Sequence, residues 1–269
     1  MKKGKVIALV NQKGGVGKTT TTVNLGACLA ELGKKVLLVD LDSQGNLTYC
    51  CGNKDIDLDT IPYTMAELLE AKIRQKEYNL DDYIKVYQNL DYMACNVLMA
   101  DVEMLLITAT EREFILSEIL EPLKDKYDYI ILDCGPTLGI FMVNALVAAD
   151  SVLIPCETET FSAVGLEQLI KSVLRTRKRL NPTLDIDGIL FTKVTVTYQI
   201  AKKYMKQIRE KYGEVIPVYD FVIPRYTEVS KAIDNNQTLI EYKDENIKVG
   251  ESAVAQVYRQ LAKEVVEHE

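Results

Sequence analysis

The chain has 269 residues, 48% apolar and 26% charged, the balance of an ordinary globular protein, which excludes a disordered, collagen-like or fibrous chain. The formal charge of −7 by itself argues against a polyanionic partner, and no apolar run reaches the ~18 residues of a membrane span or forms a secretory leader. One histidine, His268, and six cysteines without C-x-x-C spacing disfavour imidazole triads and metal sites, leaving Lys, Asp, Thr and backbone amides to carry the chemistry of a reduced, cytoplasmic protein.

Lys5 to Val10 is a short β-branched run of the kind that forms a buried parallel strand. Asn11-Gln12-Lys13-Gly14-Gly15-Val16-Gly17-Lys18-Thr19-Thr20 follows, matching G-x-x-x-x-G-K-[ST] except that Lys13 replaces the first glycine. Small residues there let successive amides turn inward around phosphate oxygens, the next helix adds its positive end, Lys18 bridges the β- and γ-phosphates, and Thr19 ligates Mg²⁺. The expected nucleotide-binding residues are therefore Lys13, Gly14, Gly15, Val16, Gly17, Lys18, Thr19 and Thr20. A long cation at position 13 makes sense if its ammonium reaches a phosphate, and from there it is better aimed at a nucleotide on a facing subunit. A homodimer with nucleotide at its interface is the expectation.

Thr19 to Leu32 has helical apolar spacing with Gly33 as its stop, and Val36 to Val39 forms the next strand. Asp40 and Asp42, two apart, face one side at that strand's end, where carboxylates can meet Mg²⁺ and water. Asp55 to Leu90 is irregular and reads as two short helices flanking a loop at the sheet edge. A helix is expected over Arg112 to Leu123 and a strand over Tyr129 to Leu132, ending in Asp133, a carboxylate placed to hold Mg²⁺ through its water shell. Further strands (Ser151 to Pro155, Ile186 to Phe191, Phe221 to Ile223) alternate with helices (Phe161 to Leu180, Gln199 to Tyr212, Val249 to Val266). This alternation indicates one α/β domain over residues 1–269, a doubly wound, mostly parallel sheet with its ligand beyond the carboxyl ends of the strands.

Between Lys171 and Lys211 stand eleven Lys or Arg against three acids, a local +8 that leaves −15 elsewhere. Lys171, Arg175 and Lys178 recur at helical spacing, as do Lys202, Lys206 and Arg209, so two basic stripes are expected. Ordinary solvated helix faces would read the same way.

Four stretches in order, Lys13 to Thr20, Val39-Asp-Leu-Asp-Ser-Gln-Gly-Asn46, Tyr129-Ile-Ile-Leu-Asp-Cys-Gly-Pro136 and Val222-Ile-Pro-Arg225 with the Leu261 to Val265 helix, resemble the ParA/MinD family of deviant Walker A P-loop ATPases. The ParA/Soj partition branch is the nearer match. The resemblance implies ATP and Mg²⁺ as cofactors and Lys13, Lys18 and Asp42 as catalytic residues, with Asp42 orienting the attacking water. It sets Thr19, Asp40 and Asp133 around the metal, partly through water. It puts the adenine between Thr192-Lys193 and Pro224-Arg225. It further implies slow turnover, a dimer closed by ATP that holds DNA without regard to sequence, a nucleoid-associated location, and a ParB-like partner that triggers hydrolysis. Lys171, Arg175, Lys202, Lys206 and Arg225 are the expected DNA contacts. Ser43 and Gly135 depart from the family, where prolines are usual, and Glu228 and Thr195-Val-Thr-Tyr198 stand near places where relatives carry arginine. Because the first strand begins close to Met1, no N-terminal helix-turn-helix is expected.

Three alternatives stand beside this reading. A MinD-like membrane-associated ATPase needs a basic amphipathic C-terminus, whereas Lys263 to Glu269 is acidic, so no membrane partner is expected. An iron-protein reductase would use Cys95 and Cys134. A non-hydrolysing interaction module would not need Lys18, Thr19, Asp42 and Asp133 together.

Overall fold

The computed structural model describes residues 3–52, 57–158, 162–195, 199–235, 237–242 and 252–267. The chain runs through β1 (Lys5–Leu9), α1 (Lys18–Glu31), β2 (Val36–Leu41), α2 (Asn46–Cys51), α3 (Met65–Ile73), β3 (Ile84–Tyr87), β4 (Leu90–Met93), α4 (Met99–Thr108), α5 (Ile115–Leu120), β5 (Tyr129–Cys134) and α6 (Ile140–Ala148). It continues through β6 (Ser151–Glu157), α7 (Ser162–Arg179), β7 (Asp185–Val194), α8 (Gln199–Tyr212), β8 (Val218–Pro224), α9 (Thr227–Asp234) and α10 (Ala253–Glu267). The strands form one eight-stranded sheet in the order β3-β4-β2-β5-β1-β6-β7-β8, parallel except for the antiparallel β3–β4 pair.

β2, β5 and β6 are buried along their whole length because helices cover both faces of the sheet, which explains the apolar runs Val36 to Val39, Tyr129 to Leu132 and Val152 to Pro155 within them. One layer, built on α3 to α8, packs on Val6, Val39, Ile130 and Phe191; the other, built on α1, α2, α9 and α10, packs on Ile7, Leu38, Ile131 and Leu190. Gly26 lets α1 lie close on the sheet, since a Cβ there would stand 2.8 Å from the Leu38 Cδ2. The chain leaves β1 toward β2 on the β5 side and later lays β6 on the other flank, so a crevice opens at the carboxyl end of β1.

α10 spends its apolar face inside the fold. Val254, Ala255, Tyr258, Leu261, Ala262 and Val265 are buried, the Tyr258 hydroxyl lies 3.3 Å from the Thr21 Oγ1, and Arg259 grips the Glu31 carboxylate through two nitrogens at 2.7 and 3.0 Å. Residues 253–267 therefore leave no apolar stripe for lipid, and no helix among the described residues is long and apolar enough to cross a membrane.

The 55–90 region holds the two expected short helices flanking a loop, α3 and a 3₁₀ helix at Leu80–Tyr83, and adds a hairpin that the expected elements lacked. α3 is opened by a capping box in which Thr64 and Glu67 exchange hydrogen bonds, and the β3–β4 hairpin extends the sheet. Ile84-Lys-Val-Tyr87 lies at the edge with Val86 73% exposed, so its sequence lacks the apolar density of the central strands. The expected 112–123 helix shortens to α5 followed by a 3₁₀ turn at Glu121–Asp125, with Pro122 in its first turn. α2, α4, α6 and α9 have no counterpart in the expected elements. Val196 to Tyr198 and His268 lie outside the described residues.

Candidate functional site

The loop joining β1 to α1 is shaped by glycine. Gly15 (φ 73°) and Gly17 (φ 86°) occupy the left-handed region, where a Cβ is unfavourable; a Cβ would meet nothing within 4 Å at Gly15 and only the Thr192 Cβ, at 3.9 Å, at Gly17. Asn11 fixes the loop's base: its Nδ2 donates to the Pro155 O at 2.6 Å and its Oδ1 accepts from the Lys13 N at 2.9 Å. Val16 is fully buried and anchors the loop from beneath. Lys18, only 7% exposed, curls back over the loop and donates to the Asn11 O (3.3 Å) and the Lys13 O (3.5 Å). Burial lowers its pKa, while Asp133 and Asp42 oppose that shift.

The acids stand beside this loop. Asp40 and Asp133 are register partners on β2 and β5, so their side chains share one face of the sheet. The Thr19 Oγ1 donates to the Asp133 Oδ2 at 2.6 Å. The other oxygen of Asp133, Oδ1, is buried with no hydrogen-bond partner among the described residues. Burial raises the Asp133 pKa, and the neighbouring Asp40 raises it further. A hydroxyl and a carboxylate with one buried oxygen to spare form an all-oxygen donor set that fits a hard cation such as Mg²⁺.

Asp40 lies behind that pair. Its Oδ2 accepts from the Thr48 N (2.8 Å) and Oγ1 (2.7 Å), and its Oδ1 accepts from the Asp42 N at 3.2 Å. Both oxygens are thus engaged in holding the turn that carries Asp42, and burial raises this carboxyl too. Asp42 is half-buried, its Oδ1 accepting from the Gln44 N at 3.1 Å, and it lines two cavities. One, of about 520 Å³, runs from Gly14 and Lys18 to Asn46 and Pro136; the other, of about 350 Å³, is bounded by Glu103, Gly135 and Phe141. A Cβ at Gly135 would meet the Asp42 carboxylate at 3.5 Å, ordinary contact, so no close approach demands glycine there.

A third cavity, of about 580 Å³, opens between β7, β8 and α9 and is lined by Gly17, Thr20, Thr192, Lys193, Pro224 and Arg225 among others. The two segments expected to flank a base therefore meet across one cavity that adjoins the phosphate loop. Arg225 is exposed, and its backbone N donates to the Val194 O at 3.1 Å.

Lys13 lies on the rim, 36% exposed, with its ammonium 2.6 Å from the Glu157 Oε2 at the end of β6. Glu157 was not among the residues singled out from sequence. Nor were Thr48 and Asn11, whose contacts with Asp40 and the Pro155 O lie 8 and 144 positions away in the chain.

Of the five expected DNA contacts, Arg225 lines the third cavity, whereas the other four sit on α7 and α8, outside the three cavities described. Lys171 and Arg175 on α7 and Lys202 and Lys206 on α8 are all exposed. Glu167 joins the two helices, accepting from Lys171 at 2.8 Å and Lys211 at 2.7 Å, and Lys206 lies 3.6 Å from Glu210. Arg209, the third residue of the second expected stripe, turns inward instead: it donates to the Tyr219 O at 2.8 Å and lies 5.5 Å above the Phe191 ring. Cys95 and Cys134 are both buried, and burial raises both thiols well above their ordinary range.

A family model described as an AAA domain matches residues 4–186. The chain is 40% identical over 264 residues to the sporulation initiation inhibitor protein Soj of Bacillus subtilis (strain 168), covering 97% of this chain and 98% of that protein. It is 36% identical over 265 residues to the chromosome-partitioning ATPase Soj of Treponema pallidum (strain Nichols), with 98% and 97% covered. Among solved structures it is similar to cobyrinic acid a,c-diamide synthase from Mycobacterium smegmatis with bound ATP analog and magnesium, at a TM-score of 0.82 and 29% identity, covering 98% of this chain and 95% of that one. A glycine-shaped loop with a second lysine at its start, carboxylates closing β2 and β5, and full-length likeness to Soj proteins agree: the chain belongs to the ParA/Soj branch of the deviant Walker A P-loop ATPases.

Proposed function

We propose that the chain is an ATP-dependent dimerising switch: it binds DNA without regard to sequence in its ATP state and hydrolyses ATP to drive DNA partitioning. The observation that carries this reading is the cradle, where two left-handed glycines, the buried Lys18 and the Thr19–Asp133 contact converge at the carboxyl end of β1. Amides of Gly14 to Lys18 and the Lys18 ammonium bind the phosphates, and the base enters the cavity between Thr192-Lys193 and Pro224-Arg225. Thr19 and Asp133 would hold Mg²⁺, which supplies charge neutralisation to the transferred phosphoryl group. Asp42, fixed through Asp40 and Thr48, orients the water. Phosphoryl transfer asks little covalent chemistry of the protein, so alignment and charge are sufficient.

Lys13 is paired with Glu157 in the single protomer, and in the dimer it turns to the nucleotide of the facing subunit. Closure then sets the basic faces of α7 and α8 from both protomers against the phosphate backbone of DNA, and a ParB-like partner ends the state by triggering hydrolysis. Full-length similarity to a chromosome-partitioning ATPase supports this cargo class.

Sizing and DNA retention with ATP, ADP and no nucleotide test the reading. Wild type and Asp42→Ala are expected to dimerise with ATP and retain DNA, whereas Lys18→Ala does neither. Equal retention by wild type and Lys18→Ala in every nucleotide state would remove the switch.

A further inference from the structure

β7 ends irregularly beside the phosphate loop. In a regular strand, successive side chains leave on opposite faces. Here Thr192 and Lys193 reach the same loop: the Thr192 Oγ1 donates to the Val16 O at 2.7 Å, and the Lys193 ammonium donates to the Gly15 O. The backbone makes this possible, because the β7–β8 register shifts between Phe191 and Val194 and Lys193 adopts a φ of 51°. That left-handed conformation is unfavourable for a long side chain, and a bulge of this kind re-aims a residue beside a site.

The place it is aimed at is specific. Of the residues lining the 580 Å³ nucleoside cavity and the 520 Å³ phosphate cavity, Gly17, Thr20 and Lys193 are common to both, and Lys193 alone among them is charged. The largely buried Glu157 stands 3.7 Å from its ammonium and 2.6 Å from that of Lys13, so one carboxylate steadies two cations at the loop's flank. With Lys18, three ammonium groups surround a loop already shaped for anions.

We propose that Lys193 is a third phosphate-binding residue of this site, engaging the nucleotide's phosphate chain where it crosses from one cavity to the other. The inference rests on the nucleotide-binding reading above. Because the crossing lies before the terminal phosphate, the contact serves di- and triphosphates alike. A bare structural brace through the Gly15 carbonyl would place the same atoms together, and charge is what separates the two roles.

Calorimetric titration of ADP and of a nonhydrolysable ATP analogue, each with Mg²⁺, into the full chain tests it at about 50 and 500 mM NaCl. Lys193→Met and Lys193→Gly are expected to lose roughly tenfold in affinity for both nucleotides at low salt and under about threefold at high salt, with Lys193→Arg near wild type. Lys193→Gly also relieves the left-handed strain, so its nucleotide-free Tm should equal or exceed that of wild type; should it fail to fold, Lys193→Met carries the test. Unchanged affinity, or a loss of equal size at both salt concentrations, would reduce Lys193 to a brace. A loss confined to the triphosphate would overturn its place at the crossing. Wild type that binds neither nucleotide would instead overturn the nucleotide reading itself.

Discussion

The phosphate cradle and the outer faces of α7 and α8 both concentrate cations, and they hold them in opposite ways. At the cradle, Lys18 is buried over loop carbonyls, and Lys13 and Lys193 flank the largely buried Glu157. On the helices, Lys171, Lys202 and Lys206 stand in solvent, the first and last beside carboxylates one turn away. A buried cation with fixed partners acts at one point with full strength, whereas exposed cations act through a shared, screened field. Substitutions should therefore be decisive in the first region and graded in the second.

The largest expected effect is at the cradle's centre. Lys18→Ala should lower ATP affinity by more than about 100-fold by calorimetry, because a charge-assisted contact is lost inside a desolvated site, while Lys171→Ala changes it less than about twofold. Comparable small losses from both would erase the contrast.

A second effect comes from the acids. The folded pKa of Asp40 is pushed up to about 6 and that of Asp133 to about 8, above the usual carboxylate value. The folded state therefore binds more protons than the unfolded one between pH 4 and pH 8, and stability from this pair falls as pH rises through that window. The nucleotide-free protein should be more stable near pH 5.5 than near pH 8, and Asp133→Asn should flatten the slope in a denaturant series. A flat profile over this window would mean that the carboxylates are already ionised in the folded state without the metal.

On the surface, Lys202→Ala with Lys206→Ala should weaken DNA binding about tenfold at low salt and reduce the slope of log K against log salt by about 2. A loss without a change in slope would remove α8 from the DNA face. The smallest effect is at Arg209, inside the same predicted stripe. Arg209→Ala should destabilise the fold by about 1 kcal/mol through the lost Tyr219 carbonyl contact and ring packing, leaving the salt slope intact.

Legibility in the sequence follows the same division. The cradle's glycines and lysine are consecutive residues whose local conformation alone demands them, and the central strands are apolar because both faces are covered. α6 went unread because Ile140-Phe-Met-Val-Asn-Ala-Leu-Val-Ala148 is apolar nearly all round, so no helical period shows. The β3–β4 edge hairpin failed for the opposite reason, its strands being short and partly exposed. In the second stripe, spacing put Arg209 with Lys202 and Lys206, but packing on Phe191 drew it inward.

The sequence by itself determined the alternation of strand and helix, the phosphate loop and the acids that end β2 and β5, because each depends on neighbours within a few residues. Tertiary structure decided that Thr48 holds the Asp40 carboxylate whose other oxygen accepts from the Asp42 N, that Glu157 receives Lys13, and that a bulge turns Lys193 onto Gly15. Such pairings join positions as far apart as residues 15 and 193, and only the stacking order of the strands brings them within reach.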